Sequence, residues 1–88
     1  MAQYGIKLWN DLETKLIEFR EVKSRPYAFH VARQFAYNSL EAFGKLDTHA
    51  AYNVMELIDA ANDILAVGEN KHFTISNTGR SITVSRYL

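Results

Sequence analysis

GIKLWNDLETKLIEFREV, residues 5–22, is the stretch whose reading decides the fold. Leu8, Trp9, Leu12, Leu16 and Phe19 follow one another at spacings of three and four after the first pair, the period of a helix with one apolar face. Asp11 and Lys15 lie one turn apart on the opposite side, an i,i+4 pair suited to a solvated surface. The spacing predicts a first helix over residues 5–23. Pro26 fits the first position of a second helix and disfavours helical geometry at Arg25, so Ser24-Arg25-Pro26 reads as the turn between them.

Working outward, residues 26–43 place Ala28, Val31, Ala32, Phe35, Ala36, Ser39, Ala42 and Phe43 on one broad arc, with Gly44 as a left-handed cap. Asp47 or Thr48 can accept from the exposed N–H groups of a third helix over residues 48–67. Its inner face carries Ala51, Val54, Met55, Ile58, Ala61 and Leu65, and Gly68 stops it. The period then changes from helical to alternating. Phe73 and Ile75 alternate with polar residues, as do Ile82 and Val84, around Asn77-Thr78-Gly79, which predicts a β-hairpin over residues 71–87.

The register of that hairpin follows from Gly79. A four-residue loop over residues 76–79, with Gly79 in the left-handed region, pairs Ile75 with Arg80 and Phe73 with Ile82. Phe73, Ile75, Ile82 and Val84 then share the core face, and Thr74, Thr83, Ser85 and Tyr87 face outward. A three-residue loop would mix the faces and is rejected. The outer strand, ending in Arg86-Tyr87-Leu88, is left as an edge open to a partner strand or a second copy, so a homodimer through it is an expectation.

The sum is an α+β fold: three amphipathic helices followed by a C-terminal two-stranded antiparallel hairpin packed on them, in one domain over residues 1–88. No Pro/Gly/Ser-rich tract reads as a linker. The order resembles part of a winged helix, whose third helix enters the DNA major groove. Here that helix would present Glu56, Asp59 and Asp63 to phosphate, so the likeness stops at element order.

Charge is sorted along a chain whose formal net charge is zero. Residues 1–46 hold seven Lys/Arg against five Asp/Glu, residues 47–69 hold five acids and no Lys or Arg, and residues 70–88 hold Lys71, Arg80 and Arg86 with no acid. Such sorting speaks to partners. With no Cys there is no disulfide framework or thiolate metal site, and a cytoplasmic setting is expected. The N-terminal residues lack the basic-then-apolar pattern of a secretion signal, and no apolar run approaches ~18 residues, so no membrane segment is expected.

Two faces then stand as candidates for binding. On the second helix Tyr27, His30, Arg33, Gln34 and Tyr37 leave the core arc together, a Tyr/Arg combination enriched at protein contact centres. On the third, Tyr52, Glu56, Asp59 and Asp63 lie within about 60° of one another at helical pitch, an acidic stripe suited to a basic partner surface. His49 near three carboxylates makes no recognised ligand motif, so no metal is assigned. The alternative is RNA or DNA held by Lys23, Arg25, Tyr27, His30, Arg33 and Tyr37 with the hairpin's Arg80 and Arg86, by stacking and phosphate contact.

Catalysis finds no footing. No phosphate-binding Gly-rich loop, no G-x-S-x-G and no paired-histidine metal motif is present, and His30, His49 and His72 are scattered. The expected function is a small non-enzymatic protein-binding module without cofactor. In size and composition it is similar to the inhibitors and adaptors that bacteriophages and mobile elements direct at a protein partner.

Overall fold

The computed structural model describes residues 3–10, 14–61, 66–75 and 78–87, in the order β1 (Gln3–Asn10), β2 (Lys15–Val22), α1 (Arg25–Ala42), α2 (His49–Ala60), β3 (Asn70–Ile75) and β4 (Arg80–Tyr87). The expected first helix is therefore absent: the described residues form two helices and a four-stranded antiparallel sheet, ordered β2-β1-β4-β3. The reason lies in residues that the helical reading left off its apolar face. Tyr4, Ile6 and Leu8 alternate along β1 and are all buried, a period of two that only a strand can turn inward. Leu12, one of the residues that suggested a helix, lies outside the described residues, as does Asp11.

β1 is central. It pairs with β4 from Gln3↔Tyr87 to Asn10↔Arg80 and with β2 from Tyr4↔Val22 to Asn10↔Lys15. The register shifts between Leu8↔Glu18 and Trp9↔Leu16, leaving Ile17 as the extra residue of a β-bulge. β3 and β4 pair with Ile75↔Arg80 and Phe73↔Ile82, the expected register. Gly79 has φ +70°, the left-handed conformation that the tight connection requires. Thr78 fastens it, its hydroxyl donating to the Ile75 carbonyl at 2.7 Å and accepting from the Arg80 N–H at 3.1 Å. Because β1 occupies the far side of β4, the last strand has no open edge, and homodimerisation through it is ruled out by its position.

The helices keep most of the sequence-derived inner faces. Ser24 caps α1, its Oγ accepting from the Tyr27 N–H at 3.3 Å. Arg25 joins the first turn instead of lying outside it. Gly44, at φ +66°, ends α1 with the Lys45 N–H donating to the Leu40 carbonyl at 2.8 Å and the Gly44 N–H donating to that of Glu41 at 3.1 Å. Ala28, Val31, Ala32, Phe35, Ala36 and Ser39 are buried as expected, joined by Phe29 and Leu40, whereas Ala42 and Phe43 are exposed. The inward arc is centred further round the helix than the small-residue pattern suggested.

Thr48 caps α2 by accepting from the Ala51 N–H at 3.3 Å. α2 ends at Ala60, short of the expected 67; Asp63 and Leu65 lie outside the described residues. Both helices pack on one side of the sheet, against Tyr4, Ile6, Leu8, Phe73, Ile75, Ile82 and Val84. This makes two layers, with no helix of the described residues packed on the other sheet face.

Candidate protein-binding face

The outer side of α1 follows from its inner one: once Phe29, Ala32, Phe35, Ala36 and Leu40 turn to the core, Tyr27, His30, Arg33, Gln34 and Tyr37 must turn away, and all five are exposed. Tyr27 and His30, three residues apart, stack with ring centroids 5.9 Å apart and planes within 17°. Arg33 reaches α2, its Nε lying 3.4 Å from the Asp59 carboxylate. Both partners are about half exposed, so the pair orients side chains more than it stabilises the fold. Between the helices runs an open groove of about 470 Å³ lined by His30, Arg33, Gln34, Tyr37, Asn38 and Met55. Met55 supplies an adaptable apolar floor and the rest a polar and aromatic rim.

Glu56 and Asp59 line one open depression with Asn53, Leu57 and Ala60, and Asp59 also reaches the α1 face through Arg33. Tyr52, 66% exposed, stands near the start of α2 beside Asp47, Thr48 and His49. Among the described residues no group of three His, Asp or Glu side chains is arranged to hold a metal ion, and no helix is long and apolar enough to cross a membrane.

The basic set named for nucleic acid is not gathered on one surface. Lys23 is exposed and Arg25 half-buried at the start of α1. Arg80 lies under the other end of that helix, its Nη1 donating to the buried Ser39 Oγ at 3.3 Å and its guanidinium 5.1 Å from the Phe43 ring centroid. Arg86 sits over the Tyr4 ring at 5.7 Å. Both hairpin arginines thus lie on the helix-covered side of β4, in register with Ile82 and Val84.

A second surface was missed by the sequence reading because it exists only if residues 5–22 are strands. On the open sheet face the Trp9 indole N–H donates to Thr83 Oγ1 at 3.1 Å, His72 Nδ1 lies 3.2 Å from the same oxygen, and Lys7 Nζ sits 5.6 Å from the Trp9 ring centroid. Nearby the Tyr87 hydroxyl donates to Glu21 Oε2 at 2.6 Å, across Gly5. A Cβ at Gly5 would come within 2.9 Å of that hydroxyl and 3.0 Å of the Phe19 ring, so glycine permits this approach. The alternation of Tyr4, Ile6 and Leu8 was the available signal. Comparison with protein-family models, curated proteins and solved structures finds no match to this chain.

Proposed function

We propose that this chain is a small protein-binding module, an inhibitor or adaptor that acts by contact and carries no catalysis of its own. The observation that supports this most is the outer face of α1, where Tyr37, His30 and Arg33 border one groove, His30 being oriented by its stack with Tyr27 and Arg33 by its pair with Asp59. Tyr and Arg side chains held in place lose little conformational freedom on binding, which is what makes them effective contact centres. The partner's matching surface offers an apolar side chain for the Met55 floor and acceptors for Arg33, His30 and Gln34. The inward placement of Arg80 and Arg86 weighs against the nucleic-acid alternative, since phosphate contact needs cations on the contacting surface.

The test is affinity capture from host lysate with and without nuclease, using the wild-type chain and Tyr27→Ala/Tyr37→Ala. A protein captured in both conditions by wild type and lost by the variant, with the melting temperature moved by only about a few degrees, supports the reading. Captured material that disappears on nuclease treatment overturns it in favour of nucleic acid. Capture unaffected by the double substitution removes the α1 face from the proposal.

A further inference from the structure

β2 is an edge strand of unusual composition. Except for Val22 its residues are exposed, and three of them are large and apolar: Leu16, Ile17 and Phe19, at 47%, 44% and 45%. Edge strands of isolated sheets are ordinarily protected by Pro, by inward charges or by bulges. Here the bulge at Ile17 sits at one end and leaves residues 18–22 regular. Within that regular segment the order is Glu18, Phe19, Arg20, Glu21, Val22. Glu18 and Arg20 share the helix-side face, in register with Leu8 and Ile6, and Phe19 and Glu21 share the open face with Lys7 and Gly5.

We infer that β2 pairs with β2 of a second copy of this chain, antiparallel about a two-fold axis at Phe19, joining the two sheets into one of eight strands. Backbone geometry limits the registers. In an antiparallel ladder successive residues direct their N–H and C=O groups to alternate sides, so only residues an even number apart can face each other, and a two-fold axis must fall on a residue. An axis at Glu18, Arg20 or Glu21 sets like charges directly opposite. An axis at Val22, the last residue of the strand, leaves almost no ladder. An axis at Phe19 sets Glu18 against Arg20 twice, once on each side, and brings the two Phe19 rings together on the open face. Neither Glu18 nor Arg20 forms an ion pair with another described residue of its own chain.

The experiment is sedimentation of the full chain over a concentration series, for wild type, Glu18→Arg, Arg20→Glu and the double exchange. Wild type should be a concentration-dependent dimer. Each single exchange creates two like-charged pairs and should weaken self-association by about 100-fold or more, with the far-ultraviolet dichroism of wild type. Mixed together, the two single variants should form a one-to-one heterodimer, because a strand with arginine at both positions then opposes a strand with glutamate at both. The double exchange should dimerise with itself again. A wild-type chain that stays monomeric overturns the inference. So do single variants that dimerise as tightly as wild type, or a mixture that fails to pair.

Discussion

The two hairpins of the sheet share one antiparallel ladder but not one environment. In β3–β4, Phe73, Ile75, Ile82 and Val84 are buried beneath the helices; in β1–β2, β1 is equally buried, but β2 contributes only Val22 to the core. The difference shows that pairing and burial are separate sources of order. β2 is placed by backbone hydrogen bonds and a few side-chain contacts, whereas β4 is held by apolar area removed from water on its helix side and by strands along both edges. The largest effect should therefore come from the covered hairpin. Ile82, fully buried, should cost about 2–5 kcal/mol on Ile82→Ala. Leu16→Ala should cost about 1 kcal/mol or less at concentrations where the chain is monomeric. Urea unfolding of both variants measures the contrast, and equal losses would erase it.

The same contrast explains what was legible in the sequence. The β3–β4 register could be read because strict alternation and one glycine in the left-handed region agree with each other, and burial on one face leaves no second solution. In residues 5–22 the local signals conflict. Leu8, Leu12, Leu16 and Phe19 mimic a helical stripe, and neither Gly nor Pro lies between Trp9 and Leu16 to announce a turn. What decides there is tertiary: β4 offers β1 a complete ladder, and that cover is invisible to a local pattern. The α1 face was legible because a helical wheel needs no neighbour. Its link to Asp59 was not, because that depends on how two helices cross.

The turn at Gly79 in the covered hairpin gives an effect of intermediate size. Gly79 has φ +70° and open space around it, with the nearest atom to an added Cβ being Asn10 Oδ1 at 4.0 Å. Its substitution cost is therefore conformational rather than steric. Gly79→Val should lose about 1–2 kcal/mol or slightly more, since a β-branched residue is least at ease there. Gly79→Asn should lose clearly less, because Asn tolerates the left-handed region. Thermal unfolding of the pair checks this. Equal losses would mean that a contact, not the backbone angle, governs the turn.

The smallest effect concerns the side-chain contact between β4 and β2, the Tyr87 hydroxyl donating to Glu21 over Gly5. That hydrogen bond, helped by partial burial and by the carboxylate's negative charge, pushes the Tyr87 phenol up from 10.0 to about 12. The sign follows from which state holds the proton. The folded chain keeps Tyr87 neutral where the unfolded chain begins to ionise, so the contribution is complete below the ordinary tyrosine value and is lost as pH rises towards the folded value. Tyr87→Phe should lower stability near neutral pH by about 0.5–1 kcal/mol, the worth of one exposed hydrogen bond. Glu21→Gln should bring the Tyr87 titration, followed by NMR of the labelled phenol ring, back towards the ordinary value without disturbing the other tyrosines. If Tyr87 instead titrates in wild type as an ordinary tyrosine does, the contact does not persist in solution, and β2 is held to the sheet by its ladder alone.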